Sequence, residues 1–307
     1  MGRLHTVLRV DGVSKRFGAT QALDEVSLAV PSGRIVGFLG PNGSGKTTTM
    51  RAIMGLVATD QGSITWHGEP ITDEMRHRFG YMPAERGMYP KMRVREQLVY
   101  FSRLAGSGRV DAENAADHWL ARMGLTERAD DEVQALSSGN QQRLQLAISL
   151  VHEPDLLVLD EPFSGLDPVA VETMKALLVE EVERGVTVLL SSHQLDLVSD
   201  VCRDVVIVNR GRVVLDGAVD GIRRRAPTRH VVATVASGDV AAFGVPDPSW
   251  EVVGRAEHEV RLRIPSDCDA EEAFAAVAAI GPVVEFAFSA PALSEVFIES
   301  VGEVGRS

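Results

Sequence analysis

Lys46 and Thr47 close the octapeptide GPNGSGKT, Gly40–Thr47, which fits the pattern GxxxxGK(S/T). A loop of this kind binds polyphosphate. Gly40, Gly43 and Gly45, with Pro41, Asn42 and Ser44 between them, let backbone N–H groups converge on phosphate oxygens. The helix start that follows, through Thr48, adds a favourable dipole. The Lys46 ammonium reaches terminal phosphates, and the Thr47 hydroxyl is a ligand for Mg2+. Only four lysines occur in the chain (Lys15, Lys46, Lys91 and Lys175), so a lysine in this place does not reflect abundance.

A second group of reactive side chains lies more than a hundred residues later. The apolar run DLLVLDE, Asp155–Glu161, ends in two adjacent carboxylates. Ligands of open parallel sheets sit beyond the carboxyl ends of the strands, where Asp160 and Glu161 would project. Asp160 suits Mg2+, held through water, and Glu161 suits orienting or deprotonating an attacking water. His193 follows another apolar strand and falls on the same edge, within reach of a γ-phosphate or that water. Taken singly, an acidic pair is a polar turn and a strand-end histidine is structural; their company with Gly40–Thr47 favours chemistry. Ser138-Gly139-Asn140-Gln141 fits a capping box, with Ser138 as N-cap and Gln141 at N3. The same helix start is also an anion site. Spacing alone does not say whose phosphate it would take.

The elements that must position these groups follow from hydrophobic periodicity. Short strands are predicted at Leu8–Val10 and Val26–Val30 around a loop, RFGATQAL, then Arg34–Leu39 running into the glycine-rich loop, and a helix over Thr47–Leu56. Ser63–Trp66 and Phe79–Met82 read as strands, and the pattern turns helical from about Pro83, with Val94–Leu104, Ala112–Met123 and Asn140–Val151. Strands return at Leu156–Leu159, Val186–Leu190, Val205–Asn209 and Arg212–Leu215, with helices Val169–Arg184 and Gln194–Val201 among them. Strand–helix alternation with continuous apolar strands predicts an α/β fold with a parallel sheet covered on both faces. Residues 83–150 form a helical insertion in a domain spanning 7–222. Beyond Ala226-Pro227 the texture changes to alternating strands His230–Val235, Glu251–Gly254, Val260–Ile264 and Val283–Phe288, with helices Glu271–Ile280 and Leu293–Val301. That is a small α+β domain over 227–303.

Bulk properties narrow the class. The chain has 307 residues and a net charge of −12, which argues against nonspecific nucleic-acid binding. Residues 226–307 hold 5 Lys/Arg against 13 Asp/Glu, so −8 of that charge lies in the small domain. No apolar stretch approaches the roughly 20 residues that span a bilayer. The N-terminus carries no secretion signal, Met1-Gly2 with Thr6 fits a myristoylation start only loosely, and a cytosolic protein is expected. Arg223-Arg224-Arg225 is shorter than a lipid-binding cluster and reads as a linker or helix end. Cys202 and Cys268 have no metal-ligand spacing and imply no disulfide framework.

LSSGN, Leu136–Asn140, shortly before the Asp-Glu strand, resembles the signature motif of ATP-binding cassette (ABC) proteins, usually LSGGQ. SGLD, Ser164, Gly165, Leu166 and Asp167, matches that family's dimer-contacting loop, His193 its switch histidine, and Phe17 the aromatic that stacks on adenine. The resemblance covers about residues 7–220 with every motif in order. It implies a cassette with mostly parallel sheet, N-terminal antiparallel strands and a helical insertion, binding ATP and Mg2+. It further implies two chains, as homodimer or heterodimer, packed head to tail, so that Ser137, Ser138, Gly139 and Asn140 of one face the ATP of the other. Closure and reopening would drive a separately encoded membrane permease, leaving the chain peripheral on the cytoplasmic face. YMPAERGMYPKMRVREQL further resembles the sodium-efflux and drug-resistance exporter ATPases, which often end in a small accessory domain.

Three positions depart from the family. Ser138 and Asn140 replace a glycine and a glutamine of the signature, and Ala84 stands where a Mg2+-contacting glutamine normally follows the proline. Alanine cannot ligate a metal; neighbouring Glu85 is the candidate substitute. Transport competes with a nucleotide-switched module acting on DNA or ribosomes. The chain has none of the long coiled coils, zinc cysteines or second cassette of those relatives, so an export ATPase without a nucleic-acid partner is expected.

Overall fold

The computed structural model describes residues 6–304; Met1-Gly2 lies outside them. The chain divides into two compact units between Gly217 and Ala218.

The first unit opens with a long hairpin, β1 (Thr6–Phe17) and β2 (Thr20–Pro31). The expected loop is instead a tight turn. Phe17 pairs with Thr20, and Gly18 takes the left-handed conformation, φ 57°, that the turn requires. Then come β3 (Ile35–Leu39), α1 (Lys46–Ile53), β4 (Gln61–Trp66), β5 (Glu69–Pro70), α2 (Asp73–Arg76) and β6 (Phe79–Met82). The insertion holds α3 (Val94–Leu104), α4 (Arg109–Arg122) and α5 (Ser138–Leu150). It turns helical only at Val94, not at Pro83, because Pro83, Gly87 and Pro90 break the backbone before it. The unit closes with β7 (Leu156–Asp160), α6 (Pro168–Glu183), β8 (Thr187–Ser192), α7 (Leu195–Ser199), β9 (Asp204–Asn209) and β10 (Arg212–Ala218).

Six strands form the main sheet in the order β10-β9-β3-β8-β7-β6, and from β9 to β6 every pairing is parallel. Its central strands IVGFL, LLVLD and TVLLSS are buried at every position, as strands covered on both faces must be. A smaller sheet, β2-β1-β4-β5, is antiparallel. One apolar cluster joins the two sheets: Leu8, Val10 and Leu28 meet Phe38, Val158 and Leu189, with Met50 and Ile53 of α1 among them.

The second unit contains α8 (Val219–Arg225), β11 (Thr228–Val235), β12 (Glu251–Arg255), β13 (Glu259–Pro265), α9 (Ala270–Ala278), β14 (Val283–Ser289) and α10 (Leu293–Val304). Its antiparallel sheet runs β12-β13-β11-β14 and buries Val231, Ala233, Leu262 and Ile264 against Ala273 and Val277 of α9. The arginine run is the end of α8. Arg223 donates to the carbonyls of Pro291 (2.9 Å) and Ala290 (3.3 Å), which ties α8 to the segment entering α10.

Candidate active site

Four loops leave the carboxyl ends of parallel strands β3, β6, β7 and β8, and they carry most of the reactive groups. The loop after β3 needs its glycines. At Gly40, φ 153°, an added Cβ would stand 2.1 Å from the Val208 carbonyl oxygen of β9. At Gly45, φ 110°, it would stand 2.8 Å from Leu23 Cδ2. Lys46 is 6% exposed. Its Nζ donates to the carbonyls of Gly40 (2.7 Å) and Pro41 (3.2 Å) and lies 3.5 Å from Glu161 Oε1.

Asp160 is 1% exposed at the end of β7. One hydroxyl, Ser191 Oγ of β8, organises both carboxylate residues. It donates to Asp160 Oδ1 (2.5 Å) and accepts from the Glu161 N–H (3.0 Å). Glu161 sits at φ 54°, and its Oε2 is 2.9 Å from His193 Nδ1. Burial, then the negative charge of Asp160, push the nearby Tyr81 phenol up, so it stays neutral.

A cavity of about 290 Å3 is lined by Thr20–Ala22, Asn42–Thr48, Ala84, Asp160 and Glu161. Three of its residues hold buried oxygens without hydrogen-bond partners, Ser44 Oγ, Asp160 Oδ2 and Glu161 Oε1, the last only in ionic contact with Lys46. Buried polar atoms are rarely left unpaired, so these mark where a ligand completes the site. Ser44 Oγ suits a phosphate oxygen. Asp160 Oδ2 with the Thr47 hydroxyl suits Mg2+, which takes one or two protein oxygens and completes its shell with phosphates and water. Among the described residues no three His, Cys, Asp or Glu side chains cluster as a metal site.

The other expected residues sit apart from this cavity. Phe17 is 50% exposed at the hairpin tip, with Lys15 Nζ 5.5 Å from its ring centroid. The Glu85 carboxylate is 90% exposed and 4.0 Å from Arg51, so Ala84, not Glu85, borders the cavity. The N-cap of α5 is Ser137 rather than Ser138: Ser137 Oγ accepts from the Asn140 N–H at 3.3 Å. Ser138 instead accepts from the guanidinium of Arg86, which also donates to Gln141 Oε1 at 2.5 Å. Ser137–Asn140 and Ser164–Asp167 adjoin each other: a Cβ on Gly139 would lie 3.6 Å from Leu166, and one on Gly165 3.4 Å from Ser138 Oγ. Asp167 caps α6 through the Ala170 N–H at 2.9 Å.

Four residues of this neighbourhood escaped the sequence reading: Arg86, Gln142, Gln145 and Ser191. Gln142 donates to the carbonyls of Glu161 (3.2 Å) and Pro162 (2.9 Å), and Gln145 to those of Pro83 (2.7 Å) and Glu85 (3.3 Å). A buried glutamine pair three apart on one helix face was the available signal.

The chain is 39% identical to the ABC transporter ATP-binding protein YhaQ of Bacillus subtilis (strain 168), over 97% of this chain and 99% of that one. This chain belongs to the family of ABC transporter ATP-binding proteins. As an ABC ATPase it binds and hydrolyses ATP. The ABC transporter family model matches residues 23–164, and that of the C-terminal domain of DrrA1-3-like ATP-binding proteins matches 217–301. The Nod factor export ATP-binding protein I of Burkholderia lata (strain ATCC 17760 / DSM 23089 / LMG 22485 / NCIMB 9086 / R18194 / 383) is 38% identical over 67% of this chain and 69% of its own length. Among solved structures, an ATP-binding subunit of an ABC transporter superposes with a TM-score of 0.66 at 31% identity, covering 72% of this chain and 93% of that one.

Proposed function

We propose that this ABC ATPase powers export through a separately encoded membrane permease, as a pair of chains that bind MgATP between them. One observation carries the paired reading. The cavity is bordered by the phosphate loop and both carboxylate residues, yet none of Ser137–Asn140 lines it. Ser137 and Ser138 are exposed, beside the equally exposed Ser164 and Gly165. A phosphate-type helix start facing away from its own site fits a site on a second chain.

In this mechanism Lys46 exchanges its contacts with Gly40, Pro41 and Glu161 for phosphate oxygens. That releases Glu161 Oε1 to take a proton from the attacking water, while His193 holds the other carboxylate oxygen. Asp160 and Thr47 would hold Mg2+, which would supply charge neutralisation on the transferred phosphoryl group. Ser44 and the loop amides orient the phosphates; Phe17 offers a flat face to adenine. The partner's signature segment closes the site against water.

A permease is supported by the family, and because no described helix is long and apolar enough to cross a membrane. Export is supported by what the Burkholderia relative is named for. The chain would then sit on the cytoplasmic face of the membrane, held by its permease. Glu161→Gln should keep MgATP affinity, lower steady-state turnover by about 10²–10⁴-fold and accumulate an ATP-bound dimer in gel filtration. Undiminished turnover would remove Glu161 from the role of base, and a monomer under all nucleotide conditions would end the paired reading.

A further inference from the structure

Two departures noted in the sequence lie on segments that touch each other. Ala84 borders the cavity where the family has glutamine, and Ser138 begins α5 where it has glycine. Two residues after Ala84, the exposed Arg86 donates one guanidinium N–H to Ser138 Oγ and another to Gln141 Oε1. A glycine at 138 would offer no side-chain acceptor. Gln145, on the same helix, donates back to the carbonyls of Pro83 and Glu85 on either side of Ala84. The loop that borders this chain's own cavity is therefore fastened to the signature helix at two points. Of the two, Arg86 is the one that grips the signature residues themselves. Gln141 also bonds the approach to the helix: its Nε2 donates to the carbonyls of Val133 (3.0 Å) and Leu136 (3.3 Å), so Arg86 is linked to that approach through one side chain.

We propose that Arg86 is a positioning residue that makes the order of the signature segment Leu136–Gln142 depend on nucleotide in the same chain's cavity. Nucleotide touching the loop at Ala84 shifts or stiffens residues 83–86; Arg86 passes that change to Ser138 and Gln141 through two charge-assisted hydrogen bonds. On the paired reading above, on which only this consequence rests, each chain would offer its signature to the partner's ATP more readily once its own site is filled.

The test is amide hydrogen exchange on residues 136–142 of the full chain, with and without MgADP, at a dilution where gel filtration shows a monomer. Wild type is expected to gain protection there on adding nucleotide. In Arg86→Ala the gain is lost, and protection without nucleotide falls by about two- to tenfold, the scale of an exposed charge-assisted hydrogen bond. ADP affinity, read by fluorescent nucleotide, stays within about twofold, since Arg86 does not line the cavity. In a double-mutant cycle with Ser138→Gly the two losses should be non-additive. An unchanged gain in Arg86→Ala, no gain in wild type, or additive losses overturns the proposal. So does a large fall in ADP affinity, which would put Arg86 in the nucleotide site. Whether ATP drives dimerisation of Glu161→Gln is measured separately, so a failure there removes the paired reading and leaves the coupling within one chain standing.

Discussion

Ser191 shows how much of an active site can hang on one hydroxyl. It has no exposed surface, it fixes the rotamer of Asp160 by donating to Oδ1, and it holds the bent backbone of Glu161 by accepting its N–H. That leaves Asp160 Oδ2 as the free oxygen. Ser191→Ala should cost about 1–3 kcal/mol in denaturant unfolding, as a buried polar group loses its partner. It should also raise the Mg2+ concentration for half-maximal ATP hydrolysis severalfold. Lower stability with unaltered Mg2+ dependence would make Ser191 purely structural. Lys46 has a different signature. Its ammonium is compensated by two carbonyls and the Glu161 carboxylate, so Lys46→Ala should weaken ATP binding itself, seen as a raised Kd for fluorescent ATP, rather than turnover at saturating ATP.

Among elements, α5 is the most constrained. It lies against β6 so closely that a Cβ on Gly80 would stand 2.1 Å from the Ser149 carbonyl oxygen and 2.8 Å from Leu157 Cδ1. Gly80→Ala should therefore destabilise the fold by about 3 kcal/mol or displace α5, and the signature with it. Thermal unfolding reads the first and hydrogen exchange over Ser138–Leu150 the second; a neutral variant would contradict the contact. Two residues past the end of the helix, His152 is half-buried with Nε2 3.2 Å from the Phe79 carbonyl oxygen of β6. Burial holds this imidazole below its ordinary 6.5, although the Phe79 contact acts the other way. An unfolded chain then binds the extra proton first as pH falls below about 6.5, so this group favours unfolding in acid and has no pH effect well above that value. His152→Gln keeps a donor and does not titrate. The stability difference between variant and wild type should move in the variant's favour between pH 7 and pH 5; a constant difference would show that folding leaves the His152 proton affinity unchanged.

At the scale of the molecule, the division between Gly217 and Ala218 gives each unit its own core. Every nucleotide-type motif lies in the first unit, and α8 belongs to the second, several residues earlier than the change of texture at Ala226-Pro227 suggests. A chain ending at Gly217 should stay soluble and bind ATP with wild-type affinity, and residues 218–307 expressed alone should unfold cooperatively. An insoluble product or lost ATP binding from the shortened chain would show that the cassette needs the second unit to fold. Since residues 218–307 hold 8 Lys/Arg against 14 Asp/Glu, any pairing of copies of this unit would rest on apolar contact, and Phe286 and Phe288 pack on its own core.

Sequence alone determined what local chemistry and periodicity can specify. Gly40–Thr47 reads as a phosphate loop from glycine spacing, a strand before it and a helix after it, which are all local properties. Asp160, Glu161 and His193 had to share an edge, because buried strands of a parallel sheet end on the same side. Most strands and helices of both units were legible for the same reason; the short β5, α2 and α8 were not, and boundaries failed where one residue type decided them: Gly18 tightened a predicted loop into a turn, and Pro83, Gly87 and Pro90 delayed a predicted helix. What only the tertiary structure decided are contacts between segments far apart in the chain. Ser191 reaches Asp160 across 31 residues, Arg86 reaches Ser138 across 52, and Gln145 reaches Pro83 across 62. A hydroxyl, a guanidinium and an amide have no pattern that names their partners. The pairing is set by which strand lies beside which, how close Gly80 lets α5 come, and which buried oxygens then remain to be satisfied.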